Sequence, residues 1–200
     1  MSVARAVFVD RDGVINQLVP DPVTGHPESP LAVGDVLLVA GAAEGLRALA
    51  DAGWLLVGVS NQPSAAKGLV SPPELEAIQR RVIELLEAQG AVLDGFELCL
   101  HHPEGVVSEL TGTCDCRKPA PGMLLRASAA LGIDRQASWM VGDTAGDIQA
   151  GQAAGCRTIL VENPDSAHKR TGDLTPTAVA PDLAAAARLI LRAKGVTSRP

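Results

Sequence analysis

Two aspartates separated by a single residue, Asp10 and Asp12, follow a short apolar run near the start of the chain and precede Gly13. Paired carboxylates that leave a buried strand at a glycine turn can divide the work of hydrolysis between them. One attacks a substrate or holds a cation, and the other exchanges a proton. Because a plain acidic turn explains an isolated motif of this kind about equally well, the motif indicates chemistry only together with other residues.

Two later segments carry groups that suit phosphate oxygens. Ser60, Asn61 and Gln62 follow a second apolar run and offer a hydroxyl and two amides. Arg117 and Lys118 precede a predicted helix, and the lysine can neutralise a phosphate and an attacking carboxylate at once. Taken alone, the first segment is an ordinary polar loop and the second an ordinary solvated pair.

Two further carboxylates, Asp143 and Asp147, follow a fourth apolar run. If Asp143 stands at a strand end and faces Asp10, the two would form an oxygen site suited to Mg²⁺. Asp147 opens the next predicted helix, where a carboxylate complements the helix dipole. For Asp147, helix capping and a direct metal role both remain open.

Four potential ligands of a soft metal occur at close spacing, and they are Cys99, His101, Cys114 and Cys116. Three thiolates and one imidazole make a tetrahedral zinc set with no open position, which predicts a structural zinc in a loop over about residues 99–116. A disulfide is disfavoured because a bridge within C-x-C is strained. We expect the zinc site to orient Arg117 and Lys118 for phosphate binding. The fourth cysteine, Cys156, is predicted to be a small buried apolar residue.

These residues need a scaffold that brings strand ends together. Five β-branched runs predict strands over 7–9, 55–60, 96–100, 138–141 and 158–161. Helical patterns alternate with them over 42–52, 71–90, 121–131, 147–154 and 182–194. The predicted strands are too apolar for one face of the sheet to be exposed to solvent. This pattern predicts an α/β fold, a Rossmann-like three-layer α/β/α sandwich with a mostly parallel sheet. Segment 20–34 is predicted to be one long ordered loop.

Length and composition limit the class of protein. The 200 residues, 46% of them hydrophobic, suit one domain spanning 1–200. A net charge of −6 and only four aromatic residues argue against a nucleic-acid binder. The sequence shows neither a signal-peptide pattern nor an uncharged apolar stretch of about 18 residues. We therefore expect a cytoplasmic protein without a membrane segment, acting as a monomer.

The four polar segments, each at a predicted strand end or before a helix, together resemble the four motifs of the haloacid dehalogenase-like superfamily of phosphotransferases. The resemblance implies that Asp10 is a nucleophile that forms an aspartyl-phosphate, with Asp12 as general acid and then base. It further implies that Ser60 and Lys118 hold the transferring phosphoryl group. Asp143 would bind Mg²⁺ together with Asp10 and the Asp12 carbonyl.

A narrower resemblance covers about residues 6–182. The runs DRDGVIN, CLHHPEG and CDCRKPAPGM are similar to those of the D-glycero-D-manno-heptose 1,7-bisphosphate phosphatases and the related histidinol-phosphate phosphatases. In these families the four ligands above hold zinc, which implies that His101 and not His102 is the ligand. The heptose enzymes typically read NQSGIARG where this chain reads NQPSAAKG, so Lys67 replaces an arginine and loses its bidentate fork.

The resemblance implies a Mg²⁺-dependent phosphatase that acts on a phosphorylated small molecule, most specifically the heptose bisphosphate, releasing heptose 1-phosphate for nucleotide-activated heptose biosynthesis. Its expected substrate-binding residues are Asn61, Gln62, Lys67 and Arg117, the last for the non-reacting phosphate. The spacing between motifs leaves no room for a cap domain, and Asp21, His26, Glu28 and Ser29 are candidates for the pocket rim. Histidinol-phosphate hydrolysis is the alternative within the same chemistry. A silent sugar-phosphate binding protein and a zinc-dependent hydrolase are alternatives of other classes.

Overall fold

A computed structural model of the chain describes residues 3–21 and 25–193. The described residues form eight strands, which are β1 (Ala6–Val9), β2 (Val19–Pro20), β3 (Pro27–Glu28), β4 (Leu55–Asn61), β5 (Gly95–Cys99), β6 (Trp139–Gly142), β7 (Arg157–Val161) and β8 (Ala178–Ala180). They also form six α-helices, which are α1 (Ala42–Asp51), α2 (Pro63–Ala66), α3 (Pro72–Glu87), α4 (Gly122–Leu131), α5 (Ala145–Ala153) and α6 (Leu183–Ala193). None of these helices combines the length and apolar character that a bilayer span requires.

Six of the strands form one sheet in the order β5-β4-β1-β6-β7-β8, and every neighbouring pair in it is parallel. The first strand lies in its middle, between β4 and β6, and all four of its residues are buried. The ladder continues past the strand, because the Asp10 amide donates to Val141 O at 2.9 Å. The parallel arrangement confirms the prediction made from strands that are apolar on both faces.

Helices cover both faces of this sheet, as the three-layer prediction requires. Val7 and Val9 join a core formed with α1, α3 and α6. Ala6 and Phe8 point to the other face and join a core formed with α4 and the end of α5. Successive residues of β1 therefore contribute to two cores on opposite faces of the sheet. Full burial of a valine or phenylalanine side chain stabilises the fold by about 1.5–3 kcal/mol.

The longest helix starts where the sequence predicts. Ser71 lies just before α3, Pro72 is its first residue, and Glu74 accepts hydrogen bonds from the Ser71 backbone N–H at 2.8 Å and from Ser71 Oγ at 2.6 Å. This capping box satisfies a backbone donor that the helix itself leaves without a partner.

The prediction of one long loop over 20–34 is wrong for the described part of that segment. The two-residue strands β2 and β3 pair antiparallel, with Val19 opposite Glu28, and a 3-10 helix follows at Val33–Asp35. Strands this short show no alternation that a sequence pattern could reveal. The segment 22–24 lies outside the described residues.

Two smaller differences concern the C-terminal part of the chain. Strand β8 was not predicted, because its three residues are two alanines and one valine and look like the helical sequence that follows. The last helix is described as far as Ala193, and Lys194, its predicted end, lies outside the described residues.

In the described residues between Asp12 and Lys118 no separate cap domain stands over the sheet.

Candidate active site

The carboxyl ends of β1, β4 and β6 open into one pocket of about 430 Å³. The five residues predicted to act in catalysis or to bind Mg²⁺ line it together, and they are Asp10, Asp12, Ser60, Lys118 and Asp143. The first, third and fifth come from the ends of neighbouring parallel strands, so the sheet brings them to the same edge. Lys118 reaches them from the loop that precedes α4.

Asp10 is almost completely buried at the end of β1. Its Oδ1 accepts hydrogen bonds from the Arg11 amide at 2.8 Å and from Lys118 Nζ at 2.7 Å. Burial raises the pKa of Asp10 well above its usual value, the charge of Asp147 adds to the rise, and the Lys118 ammonium opposes it. Because both bonds use Oδ1, the other oxygen is left for a substrate or cation.

Lys118 is a buried cation held by two carboxylates. Its Nζ lies 2.7 Å from Asp10 Oδ1, 2.6 Å from Asp147 Oδ1 and 2.8 Å from the Val59 carbonyl oxygen. Burial lowers the pKa of Lys118, but the charges of Asp10 and Asp147 outweigh that effect and hold the pKa above its usual value. The side chain therefore carries a positive charge at the floor of the pocket.

The Asp12 carboxylate is surrounded by donors. The fully buried Arg11 contacts both oxygens, with Nε 3.1 Å from Oδ1 and Nη2 3.0 Å from Oδ2. Asn16 donates to Oδ1 at 2.9 Å, while Gln62 and Ser29 donate to Oδ2 at 2.5 and 3.0 Å. Burial raises the pKa of Asp12, but the Arg11 charge and these bonds outweigh it, so the pKa lies below its usual value.

Two expected substrate-binding residues have other partners. Gln62 is fully buried and absent from the pocket wall, and its Nε2 donates to Asp12 and, at 2.8 Å, to Ser60 Oγ. We therefore correct its role from substrate binding to positioning, because the turn after β4 directs it inward. Asn61 lines the pocket, yet its amide forms two 3.0 Å hydrogen bonds with the Lys118 backbone.

Asp143 supplies the observation that fits a divalent cation. It is fully buried, and neither carboxylate oxygen has a hydrogen-bond partner among the described residues. Ligand atoms of Asp10, Asp143 and Asp147 lie within 4.8 Å of one another. Burial and the charge of Asp147 raise the pKa of Asp143 to about 7. Buried carboxylate oxygens left without partners are costly, and a hard cation such as Mg²⁺ would satisfy them.

The two oxygens of Asp147 have different partners. Oδ2 accepts from the Thr144 backbone N–H at 3.0 Å and from Thr144 Oγ1 at 2.5 Å, which caps α5. Oδ1 contacts Lys118. A side chain at Gly142 would place its Cβ only 2.2 Å from Asp147 Cβ, so the turn closes because that residue is glycine. Asp147 thus joins the helix cap to the charge network.

The four predicted zinc ligands converge. The sulfur atoms of the three cysteines lie 3.0, 3.2 and 3.6 Å apart, and His101 Nδ1 lies 3.5 Å from the Sγ of Cys116. All three cysteines are free, and the four ligand atoms lie within 4.8 Å of one another. Burial and the hydrogen bond from Cys116 raise the pKa of the Cys99 thiol. This arrangement fits a tetrahedral metal site, since a cation would stabilise the thiolates.

This cysteine and histidine cluster contacts the residue next to Lys118. The Arg117 amide donates to Cys114 Sγ at 3.3 Å, and Arg117 Nη1 donates to the His101 carbonyl at 3.3 Å. The cluster therefore holds both the backbone and the side chain of Arg117, which lines the pocket.

Three basic side chains line one part of the pocket, and they are Lys67, His102 and Arg117, which we call the basic rim. From the sequence, His102 is expected to be a loop residue, because the family resemblance implies that His101 is the zinc ligand. Its Nδ1 accepts from the Glu104 amide at 3.1 Å, so the neutral ring carries its proton on Nε2 as a donor. Burial and the charges of Arg117 and Lys67 lower the pKa of His102. The basic rim presents donors suited to an anion.

Elsewhere the wall contains Glu28, Ser29 and Lys169, whereas Asp21 and His26 do not line it. The first two were among the candidates for the rim. Lys169 was not, because no motif marks it and the 3-10 helix Pro164–Lys169 brings it to the pocket after β7.

Comparisons with known proteins agree with the family resemblance seen in the sequence. Residues 115–186 match the family model "HAD-hyrolase-like". The D-glycero-beta-D-manno-heptose-1,7-bisphosphate 7-phosphatase of Escherichia coli (strain K12) is 39% identical over 156 residues, which are 78% of each chain. The D-glycero-D-manno-heptose-1,7-bisphosphate 7-phosphatase of Thermosynechococcus vestitus is 40% identical over 193 residues, covering 92% of this chain and 94% of that protein. The crystal structure of the D,D-heptose 1,7-bisphosphate phosphatase from B. bronchiseptica, complexed with magnesium and phosphate, has a TM-score of 0.80 at 30% identity, covering 94% of this chain and 99% of that chain.

Proposed function

The chain belongs to the haloacid dehalogenase-like family of D-glycero-D-manno-heptose-1,7-bisphosphate 7-phosphatases, and we propose that it removes the 7-phosphate from that sugar bisphosphate. It is a phosphoric monoester hydrolase. The basic rim is the observation that supports a bisphosphate in particular, because Lys118 already serves the reacting phosphate and the three side chains of the rim line the same pocket. Lys67 and Arg117 would bind the second phosphate by charge, with His102 as an added donor.

Two metals complete the proposal. Mg²⁺ would be held by Asp10, Asp143 and the Asp12 carbonyl, and the partnerless oxygens of Asp143 support this set. When bound there, Mg²⁺ neutralises charge on the phosphoryl oxygens during transfer. Zn²⁺ would be held by the cysteine and histidine cluster, where four protein ligands leave no position for a reacting water and favour a structural role.

The residues of the pocket can perform the transfer in two steps. In the first, the free Oδ2 of Asp10 attacks phosphorus, and the bond between phosphorus and the sugar oxygen breaks. Lys118 and Ser60 stabilise the charge on the phosphoryl oxygens. Asp12 gives its proton to the departing sugar oxygen, and the negative charge of the bound substrate favours that protonated form.

In the second step water attacks the aspartyl-phosphate. Asp12, now a carboxylate, takes one proton from the water, the new oxygen bonds to phosphorus, and the bond to Asp10 breaks. Inorganic phosphate leaves, and both aspartates return to their starting states. The buried Arg11 suits this step, since its charge favours the carboxylate form of Asp12 that must act as base.

The alternatives fit less well. The ammonium group of histidinol phosphate would be repelled by Lys67 and Arg117, the cationic side chains of the basic rim. A silent binding protein would not need the buried Lys118 between two carboxylates, because an unreactive site gains nothing from a nucleophile and a proton donor. A zinc-dependent hydrolase would need an open position at the zinc.

Steady-state rates on three substrates test the proposal. With Mg²⁺ present, we expect kcat/KM for the α- or β-anomer of the heptose bisphosphate to exceed that for histidinol phosphate by at least about a hundredfold, since contact between like charges costs several kcal/mol. The reverse ranking would overturn the proposal. Activity that survives selective removal of Mg²⁺ with zinc retained would favour the zinc-dependent hydrolase instead.

We further propose that the enzyme acts as a monomer in the cytoplasm, in nucleotide-activated heptose biosynthesis, without nucleic-acid or membrane partners. Light scattering at working concentration tests the oligomeric state, and a dimer whose dissociation abolishes activity would contradict it.

A further inference from the structure

The pocket wall contains a carboxylate that the proposed mechanism does not use. Glu28 lies at the end of β3 with 47% of its side chain exposed, and its Oε2 accepts from Lys169 Nζ at 2.7 Å. Both residues line the pocket. Asp10, Asp12 and Asp143 are the other wall carboxylates among the described residues, and all three belong to the reacting centre.

Glu28 and the basic rim flank the reacting centre on different sides of β1. Lys169, which holds Glu28, follows β7, whereas Lys67 follows β4 and His102 follows β5. In the sheet β4 and β5 lie on one side of β1, and β6 and β7 lie on the other. Basic donors therefore lie on the β4 side of the pocket, and the ion pair of Glu28 and Lys169 lies on the β7 side.

The position of Glu28 relative to the chemistry follows from the next residue. Ser29 Oγ donates to Asp12 Oδ2 at 3.0 Å, which ties the hairpin of β2 and β3 to the proposed general acid. Asp12 must reach the oxygen of the leaving group to protonate it. Glu28 is therefore adjacent in the chain to a residue that contacts the proposed general acid, and it lines the same pocket.

The chemistry of a carboxylate there selects a ligand class. Glu28 is an acceptor, and its pairing with Lys169 leaves no net positive charge on the β7 side to attract the second phosphate. Sugar hydroxyls are donors that need acceptors, and a hydrogen bond to a charged acceptor is stronger than one to a neutral acceptor. The contact with Lys169 restricts the side chain before substrate arrives, which lowers the entropy lost on binding.

We propose that Glu28, positioned by Lys169, accepts hydrogen bonds from the hydroxyls of the sugar leaving group and sets the preference of the enzyme for polyhydroxylated phosphate esters. This inference rests on the proposed function, since it assigns the sugar part of the same substrate. It also fixes the orientation of the substrate, with the second phosphate toward the β4 side and the hydroxyls toward the β7 side.

Two bisphosphates separate hydroxyl recognition from charge. Heptane-1,7-diyl bisphosphate has seven carbons and two terminal phosphates, like the heptose bisphosphate, but no hydroxyls. The measured quantity is the ratio of kcat/KM for the sugar over kcat/KM for the alkane. We expect Glu28→Ala to lower this ratio about tenfold or more, mainly through KM for the sugar. Glu28→Gln keeps an acceptor oxygen and should lose less.

Two further variants complete the test. Lys169→Met should lower the same ratio by a smaller factor, because Glu28 remains but is no longer held. Glu87→Gln, an exposed residue at the end of α3 that lies outside the pocket, is the matched control and should keep the wild-type ratio. Circular dichroism and thermal unfolding of each variant show that it folds.

The outcomes distinguish the two proposals. A wild-type enzyme that does not favour the sugar over the alkane overturns both the proposed substrate and the role of Glu28. A wild-type enzyme that favours the sugar, with the same ratio in Glu28→Ala, overturns only the role of Glu28. A ratio that falls in Glu28→Ala and in Glu87→Gln alike also overturns it, since the effect would then not belong to the pocket.

Discussion

The carboxylate of Asp147 binds Lys118 through one oxygen, at 2.6 Å, and caps helix α5 through the other. One side chain therefore sets both the start of a helix and the charge balance of a buried lysine. With Asp10 it gives Lys118 two negative partners, so the lysine can neutralise the phosphoryl group while remaining held.

These two roles of Asp147 separate by substitution. Asp147→Asn keeps an oxygen for the cap but removes the charge beside Lys118, and we expect kcat to fall about tenfold or more. Asp147→Ala should lose the cap as well and unfold with a free energy lower by about 1 kcal/mol more than Asp147→Asn. Rates and chemical denaturation measure the two effects. Asp182→Asn alters a side chain that accepts from the Ala185 amide at the start of α6 and should leave kcat unchanged.

Replacement of the proposed nucleophile should stop the reaction without preventing binding. Asp10→Asn keeps the size of the side chain but removes the attacking carboxylate, so we expect kcat to fall at least about a thousandfold. Calorimetric titration with the heptose bisphosphate should still detect binding, because the basic rim is intact. Turnover at the wild-type rate would exclude an aspartyl-phosphate on Asp10.

Loss of one cluster thiolate should act on metal content and on the active site together. Cys114→Ser should bind less than one zinc per chain by mass spectrometry and lower the free energy of unfolding. It should also reduce kcat/KM, because Cys114 Sγ accepts the hydrogen bond from the Arg117 amide. The control is Cys156→Ala, a buried cysteine outside the cluster, which should retain zinc. Full zinc content in Cys114→Ser would contradict the assigned ligand set.

Arg117 should contribute to binding of the second phosphate more than to the chemical step. We expect Arg117→Met to raise KM for the heptose bisphosphate about tenfold with a smaller change in kcat, because a charged pair to phosphate is lost. Arg117→Lys should recover part of the loss, since it keeps the charge without the fork. Arg80→Met, on the exposed face of α3, serves as control. An equal rise in KM for a substrate with one phosphate would contradict this role.

The strand ends and the convergence of the cysteine and histidine side chains were predictable from sequence because both depend on local pattern. An apolar run followed by Asp10 or Asp143 places a carboxylate at the edge of a parallel sheet, and the types and spacing of the cysteines limit the metal. The inward orientation of Gln62 was not predictable, since it depends on how the turn after β4 packs against Asp12.

Burial of Arg11 is the clearest case of a contact that local pattern cannot reveal. An arginine between two aspartates is expected to be solvated. In the structure Arg11 Nη1 donates to Gln79 Oε1 at 3.1 Å, across 68 positions of the chain, and the side chain is fully buried. The one signal in the sequence is Gln79, a polar residue on an otherwise apolar face of α3. Only the fold shows that its partner is Arg11.

The hairpin of β2 and β3 has a consequence for how such an enzyme can diversify. Its two residue pairs are a minor part of the fold, whereas the nucleophile follows a central strand with all four residues buried. Substitutions at Glu28 alter a half-exposed ribbon, and the sheet, the acidic centre and the cysteine loop keep their packing. Substrate preference can therefore change under selection while the hydrolytic machinery is inherited intact.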